Sequence, residues 1–253
     1  FFIDSLSTLF PVQYRVSEVC SLKLYKNNKL LTEAFADSLV LNVSDFANGT
    51  NWLKIMAANA TYMLLDSFYV IKPVTPAVLP IPTGAKDGVT YVNDTTVILN
   101  LYAPGKQFVY VIGEFNNWEA NDAYAMHLSP DSSRFWLQIN NLEPGVEYAY
   151  QYFIDKKLKV ADPYAEKILD PWNDKYIPKA TYSDLKTYPA QAKGIVSVLQ
   201  TAQKPYEWKI AHFEKPEKTD LVIYELLIRD FVGTRRYSTL IDTLPYLKKL
   251  GIN

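Results

Sequence analysis

The chain is short of the residues that most often form crosslinks or carry chemistry. Its 253 residues include one cysteine, Cys20, and two histidines, His127 and His212. A single cysteine excludes an internal disulfide. The two histidines are far apart and have no ligand spacing around them, so they predict neither a metal site nor a catalytic triad. No Asp-rich loop of the calcium-binding kind is present either. We therefore expect no metal and no cofactor in this chain.

An excess of charge of one sign and a long apolar run are also missing. The formal net charge is −1, which gives no electrostatic reason to expect nucleic acid or an anionic membrane as a partner. No run of about 18 apolar residues occurs, so we expect no membrane span. The chain begins at Phe1 without a methionine, and we interpret this as a trimmed terminus whose signal peptide, if any, lies upstream.

Aromatic residues are plentiful, at 14% of the chain with 19 tyrosines. Two explanations stay open. Domains rich in β-structure select aromatic rings for packing, and sugar-binding surfaces select them for stacking and hydrogen bonding. Hydrophobic residues at 49% and charged residues at 21% are ordinary for a globular protein. The length leaves room for two or three domains of roughly 100–150 residues.

Residues 1–72 are predicted to form a small immunoglobulin-like β-sandwich. Short alternating runs are separated by turn signals such as Asn27-Asn28 and Asn48-Gly49. Trp52, which follows the second turn, is expected in the core of this domain. Four prolines then occur within Pro73–Pro82, which predicts an extended, semi-rigid linker over residues 73–88.

Residues 89–188 are predicted to form a second β-sandwich. In the strand Val146–Ile154, Tyr148, Tyr150 and Tyr152 lie on one face because side chains alternate with a period of two. An earlier apolar run, from Phe108, stops at Gly113. The turn that follows, Glu-Phe-Asn-Asn-Trp, displays a large ring at Trp118. A connector over residues 189–220, with a short strand at Gly194–Leu199, completes this part.

The last part, residues 221–253, has a different pattern. Leu221–Ile228 is a nearly continuous apolar run, typical of a strand buried on both faces. A helix is predicted over Thr239–Leu250, capped by Ser238, containing Pro245 and ending at Gly251. This order predicts one β/α unit. Together with the two predicted sandwiches, it makes the fold class mainly β: two immunoglobulin-like sandwiches in tandem and a truncated first unit of a (β/α)8 barrel.

Motifs in this chain resemble two known families. Gly113-Glu-Phe-Asn-Asn-Trp118, with Tyr148–Asp155 downstream, resembles carbohydrate-binding module family 48 and the related early-set domains of starch-active enzymes. Lys204–Trp208, Leu221–Phe231 and Thr243–Ile252 resemble the beginning of the catalytic barrel of glycoside hydrolase family 13, the α-amylase family. The order of module, connector and first barrel unit also matches.

The resemblance implies the N-terminal accessory region of a bacterial, retaining glycoside hydrolase that acts on α-glucans such as starch, glycogen and maltooligosaccharides. The catalytic carboxylates of that family follow the fourth, fifth and seventh barrel strands, and no residue here matches them. We therefore expect no catalytic residue and no activity in this chain, although the parent enzyme is expected to be active and could bind calcium. Secretion, or a periplasmic or cell-surface location, is expected from the architecture.

Trp118, Asn117 and Asn116 are the predicted carbohydrate-binding residues. The ring of Trp118 can stack on a glucose unit while a neighbouring amide bonds hydroxyl groups; alternatively, the ring packs beneath its own turn. Sugar-binding members of the resembled family add a second tryptophan and a lysine, and the matching positions here are Leu158 and Gln151. Asp230, at the end of the apolar run near Glu225, is expected to pair with Arg229 or with solvent.

Two other functions stay open beside the accessory region. One is a non-catalytic starch- or glucan-binding module, and the other is an adhesin-like structural protein built of β-sandwiches. The apolar run Leu221–Ile228 counts against both, because neither needs a buried strand of this kind. If that run exposes a strand edge, we also expect self-association through residues 221–253.

Overall fold

The computed structural model describes residues 9–13, 19–36, 38–210 and 212–253. The first eight residues of the predicted first domain, and residues 14–18, lie outside these ranges. The first compact unit runs to Lys175 and includes Lys186–Gln203, and the second comprises Tyr176–Leu185 and Lys204–Asn253. Each unit is described by itself.

The described residues of the first domain form six strands: β1 (Leu9–Gln13), β2 (Cys20–Lys26), β3 (Lys29–Ala36), β4 (Ser38–Asn42), β5 (Gly49–Ala58) and β6 (Met63–Lys72). β1 pairs antiparallel with β4, and the other four form an antiparallel sheet in the order β3-β2-β5-β6. Asn27 and Asn28 adopt φ of 49° and 62°, the left-handed conformation that a two-residue hairpin needs. The predicted hairpin is therefore confirmed.

Alternation along the strands forms the core of this domain. In β5, Asn51, Leu53 and Ile55 are buried, and Trp52 between them is 45% exposed. The prediction that Trp52 lies in the core is therefore wrong, because the period of two places it on the opposite face. The core consists of Cys20, Leu22, Leu24, Leu39, Leu41, Phe46, Leu53, Ile55, Ala57 and Val70.

The second domain has nine strands: β7 (Gly88–Asn93), β8 (Thr96–Tyr102), β9 (Val109–Gly113), β10 (His127–Leu128), β11 (Arg134–Ile139), β12 (Glu147–Ile154), β13 (Leu158–Val160), β14 (Lys167–Leu169) and β15 (Val196–Gln200). One sheet has the order β10-β11-β8-β7, and the other has the order β13-β12-β15-β14 with β9 also paired to β12. All described pairs of named strands are antiparallel, which suits hairpin connections.

Strand β12 is the centre of the second sheet. It pairs with β9 over Tyr150–Ile154, with β13 over Tyr152–Ile154, and with β15 over Glu147–Tyr150. Because β15 is part of this sheet, the sandwich extends to Gln200, beyond the predicted boundary at residue 188. The core consists of Val97, Leu99, Leu101, Ala103, Val109, Val111, Met126, Phe135, Leu137, Ile139, Leu142, Tyr150, Tyr152, Ile154 and Leu199.

The proline-rich linker is bound along the second domain. Non-proline residues supply its hydrogen bonds: Val74 N–H donates to the Tyr110 hydroxyl (2.9 Å), and Leu79 N–H donates to the Leu128 carbonyl (2.9 Å). Trp136 Nε1 donates to the Leu79 carbonyl (3.1 Å). These hydrogen bonds attach the linker to the second domain, a feature that the prediction of an extended, semi-rigid linker did not include.

The second compact unit contains the helices α1 (Ile228–Phe231) and α2 (Tyr237–Lys249). The helix predicted over Thr239–Leu250 is confirmed as α2, and Gly251 follows its end with φ of 86°. The cap differs from the prediction, because the N-cap residue is Arg236 and no side chain caps the helix. Pro245 lies within the helix.

The apolar run Leu221–Leu227 does not form the predicted strand. A strand buried on both faces needs hydrogen-bonded neighbours, and no strand of the described chain pairs with this run. The side-chain oxygen of Asn253 accepts a hydrogen bond from Val222 N–H (2.9 Å). Ile223 is 82% exposed. Self-association through residues 221–253 stays a prediction.

A mainly β fold of antiparallel sheets with few helices is confirmed. The finer prediction, that the sandwiches are immunoglobulin-like and that residues 221–253 begin a barrel, remains a prediction. None of the helices in the described ranges combines the length and apolarity that a membrane crossing requires.

Candidate functional site

The predicted site lies in the turn after β9, residues 114–121, called here the Trp118 turn. A short 3-10 segment, Glu114–Asn116, follows Gly113, and Asn117 and Trp118 then adopt φ of 53° and 62°. Trp118 N–H closes the turn by donating to the Gly113 carbonyl (2.9 Å). The backbone therefore reverses within a few residues after β9.

Asn116 is occupied by the backbone of its own turn. Its Oδ1 accepts a hydrogen bond from Gly113 N–H (2.8 Å), and its Nδ2 donates to the Val111 carbonyl (2.9 Å). The residue is 9% exposed. Asn117, by contrast, is exposed. Of the two amides predicted to contact sugar, Asn117 is the one with its side chain directed to solvent.

Trp118 is only 9% exposed, and the first domain contacts the turn that carries it. Thr50 N–H donates to the Ala120 carbonyl (2.7 Å), and Trp52 Nε1 donates to Glu119 Oε1 (2.9 Å). The Trp118 turn is thus a contact surface between the two sandwiches. Sugar stacking by the ring of Trp118 stays a prediction.

Gly49, the first residue of β5, permits this close approach. Its φ is 83°, and a Cβ added there would lie 2.9 Å from Asn121 Cα and 3.1 Å from the Ala120 carbonyl oxygen. Both are backbone atoms, so neither can rotate away. Because glycine has no Cβ, β5 can approach the turn this closely.

We expect Gly49→Ala to separate the first domain from the Trp118 turn and to lower the free energy of unfolding by about 2–4 kcal/mol, from backbone strain and overpacking together. Gly84→Ala is the matched control, because Gly84 has φ of 86° and nothing within 4 Å of an added Cβ. Limited proteolysis at the linker and thermal unfolding measure the effect. Equal behaviour of the two variants would show that the close approach is unimportant.

The two other positions that the resemblance singles out are not aromatic or basic. Gln151 is fully buried, and its Nε2 donates to the carbonyls of Lys193 and Ile195 (both 2.8 Å). Its Oε1 is among the buried polar atoms without a hydrogen-bond partner in the described chain. Leu158 is 50% exposed and offers only an aliphatic side chain. Gln151 thus holds the loop before β15 against β12 and presents nothing to solvent.

A buried carboxylate lies beneath the same sheet. Asp162 Oδ2 accepts hydrogen bonds from the hydroxyls of Tyr150 and Tyr152 (both 2.9 Å), and Oδ1 accepts one from Tyr164 N–H (2.8 Å). Burial, and then the nearby charge of Asp162, raises the pKa of Tyr150 well above its ordinary value. Asp162 is 3% exposed, so this group stabilises the module and is not open to a substrate.

The remaining titratable candidates have local partners. The ring centroids of His127 and Trp136 lie 4.9 Å apart. Asp230 pairs with Arg229 (3.1 Å), as predicted, and the hydrogen bond from that guanidinium lowers the pKa of the Asp230 carboxyl. Within the described ranges, no three residues of the metal-ligating types come together.

An open cleft of about 200 Å³ lies where β5 and β6 face the Trp118 turn. Its floor is apolar and consists of Ile71, Ile112, Trp118 and Phe153, each at most 9% exposed. A site of this form combines a buried apolar floor with an accessible edge, which is typical of small-ligand sites.

The rim of the cleft is aromatic and polar. Trp52 and Tyr69 stand on one side with ring centroids 5.3 Å apart in an edge-on arrangement, 45% and 41% exposed. Asn117, Lys159 and Gln191 lie around the rest and are exposed. The rim thus offers ring faces, amides and an ammonium group around the apolar floor.

Sequence reasoning missed four of these rim residues: Trp52, Tyr69, Lys159 and Gln191. One signal could have identified Trp52, because strict alternation in β5 places Asn51 and Leu53 inward and Trp52 outward. No comparable signal connects Gln191, in an irregular segment, with Trp52. Their proximity depends on how the two sandwiches pack.

The second domain is a two-sheet β-sandwich module with an aromatic turn at one end of β9 and no catalytic constellation in its described residues. Residues 86–172 match the family model of carbohydrate-binding module 48, the isoamylase N-terminal domain. This match confirms the resemblance carried by the Trp118 turn and by β12.

Curated relatives match over short stretches. The chain is 35% identical over 69 residues to the 1,4-alpha-glucan branching enzyme GlgB of Clostridium perfringens, covering 26% of this chain and 10% of that protein. It is 25% identical over 122 residues to the malto-oligosyltrehalose trehalohydrolase of Saccharolobus solfataricus, covering 48% of this chain and 17% of that protein. The chain therefore spans a small fraction of either relative.

Among solved structures, the pullulanase of Anoxybacillus sp. LM18-11 aligns with 88% of this chain and 30% of its own, at a TM-score of 0.38 and 16% identity. A pullulanase of Klebsiella pneumoniae aligns with 61% of this chain and 18% of its own, at a TM-score of 0.27 and 16% identity.

Proposed function

We propose that this chain is the N-terminal accessory region of a glycoside hydrolase of the α-amylase family that acts on α-glucans. The carbohydrate-binding module match over residues 86–172 carries the proposal. The names of the branching enzyme and the trehalohydrolase support it, because both relatives are enzymes of α-linked glucose polymers or oligomers. In this proposal the parent enzyme is retaining, and its catalytic carboxylates lie outside this chain.

The geometry favours a role in which this region supports the parent enzyme structurally and contacts glucan. The first sandwich is hydrogen-bonded to the Trp118 turn through Thr50 and Trp52. The linker is hydrogen-bonded to the second sandwich through Val74 and Leu79. Such anchoring holds the two sandwiches in one arrangement. A pre-arranged surface binds an extended polymer at a lower entropic cost than two freely linked domains would.

Native affinity electrophoresis of the full chain tests the proposal. We expect amylopectin in the gel to retard the chain and hydroxyethyl cellulose, a β-linked polymer, to leave its mobility unchanged. We also expect the purified chain to release no reducing sugar from soluble starch. Unchanged mobility in amylopectin would contradict the glucan contact, and starch turnover by the chain would contradict the accessory role.

A further inference from the structure

We propose that the cleft between β5, β6 and the Trp118 turn binds an α-linked glucose oligosaccharide, with the exposed ring of Trp52 as its stacking surface. The site is then shared by both sandwiches, because Trp52 and Tyr69 lie outside the region that matches the module family, residues 86–172. The identity of the ligand rests on the proposed function. The location of the site rests on the cleft itself.

The chemistry of the cleft suits a pyranose ring. A glucose unit has an apolar C–H face and a belt of hydroxyl groups, so it needs an aromatic face together with amide or charged groups at its edge. The exposed rings of Trp52 and Tyr69 supply the first requirement. Asn117 and Gln191 supply amides that can both donate and accept, and Lys159 supplies a donor.

The charge of the cleft favours a neutral ligand. Its lining contains one carboxylate, Glu119, and one ammonium, Lys159, so the two charges cancel. A phosphate or a carboxylate ligand would find no excess of positive charge there. A hydroxyl-rich neutral ligand can instead use both groups as hydrogen-bond partners.

Trp52 is already held in position for stacking. Its Nε1 donates to Glu119 Oε1 (2.9 Å), and its ring meets the edge of Tyr69 at an interplanar angle of 63°. A ring fixed in this way loses little side-chain freedom when a ligand binds, which lowers the entropic cost of binding. Glu119 is therefore a positioning residue for Trp52.

The size of the cleft limits what is enclosed. About 200 Å³ is below the roughly 300–1,000 Å³ of pockets that enclose drug-sized ligands. The cleft therefore holds about one sugar ring, and the rest of an oligosaccharide continues through its open side. We therefore expect weak binding. The affinity should rise with the length of the oligosaccharide until its sugar units also contact the neighbouring rim residues.

Indole N–H signals test the site in the unmodified chain. The chain has five tryptophans, so a ¹H–¹⁵N correlation spectrum resolves a small set of side-chain signals. We expect maltoheptaose to shift the indole signals of Trp52 and Trp118 and to leave that of Trp172 in place. Trp172 is 60% exposed and does not line the cleft, so it reports nonspecific contact.

Substitutions then measure the contribution of the ring. We expect Trp52→Ala to weaken maltoheptaose affinity about tenfold or more, as for a central aromatic contact, and Trp172→Ala to leave it unchanged. Trp52→Phe retains a ring but loses the bond to Glu119, so an intermediate affinity is expected. Thermal unfolding of each variant identifies any loss of fold.

Two negative results have different meanings. If maltoheptaose binds but shifts the signal of Trp172 and not that of Trp52, the cleft is overturned while the proposed function stands. If neither maltoheptaose nor amylopectin binds to the unmodified chain, the glucan-contacting role in the proposed function fails, and the cleft proposal fails with it.

Discussion

Asp162→Ala is expected to lower the free energy of unfolding of the second sandwich by about 3–5 kcal/mol, because the lost carboxylate leaves two buried hydroxyl donors without an acceptor. The hydroxyls belong to Tyr150 and Tyr152, both fully buried. Their hydrogen bonds to Asp162 Oδ2 are 2.9 Å long. The same change also removes the acceptor of Tyr164 N–H (2.8 Å), so the segment after β13 is released from the sheet.

The midpoint of urea unfolding, followed by the near-ultraviolet circular dichroism of the tyrosines, measures this loss. Asp94→Ala is the matched control, since Asp94 lies exposed in the hairpin turn between β7 and β8, and we expect it to change the free energy by less than about 0.5 kcal/mol. Tyr152→Phe removes one donor together with its need for a partner and is expected to cost about 1 kcal/mol. Similar midpoints for Asp162→Ala and Asp94→Ala would show that the buried network is dispensable.

Gly113→Ala is expected to destabilise the module by about 2–3 kcal/mol or more through overpacking. Gly113 pairs with Tyr150 across β9 and β12. A Cβ at this position would lie 2.6 Å from the Ala149 carbonyl oxygen and 3.0 Å from Tyr150 Cβ. The backbone of β12 would have to move, and β12 is the strand on which β9, β13 and β15 all depend.

Gly233→Ala serves as the control for this change, because an added Cβ there has nothing within 4 Å. The Gly113 variant should also alter the Trp118 turn, since Gly113 N–H and its carbonyl bond Asn116 and Trp118. Tryptophan fluorescence reports that second effect. A Gly113→Ala chain with an unfolding midpoint and an emission maximum like those of the unmodified chain would contradict the tight fit.

The contact between the sandwiches changes the interpretation of the Trp118 turn. The sequence left open whether the ring of Trp118 stacks on sugar or packs beneath its own turn, and it assigned Trp52 to the core. In the structure Trp118 is 9% exposed and Trp52 is 45% exposed. Alternation along β5 turns Trp52 outward, and the contact of β5 with the Trp118 turn brings Trp52 to the rim of the cleft.

Several features could be predicted from the sequence because neighbouring residues determine them. Asn27-Asn28 forms its hairpin since asparagine tolerates positive φ, and Gly251 ends its helix for a related reason. Strand β12 and its tyrosine face follow from a period of two. The Trp118 motif was sufficient to recognise the module family, which the match over residues 86–172 confirms.

Other features could not be predicted, because they depend on residues far away along the chain. The apolar run at Leu221–Leu227 has the composition of a buried strand, yet no strand forms without neighbours to pair with it. The candidate cleft joins Thr50 to Ala120, 70 positions apart, and local patterns carry no information on such pairs. The sequence by itself determined the turns, the strand periods and the module family. Only the tertiary structure decided that Trp52 and the Trp118 turn meet at one cleft, because their proximity depends on the surfaces at which the two sandwiches pack.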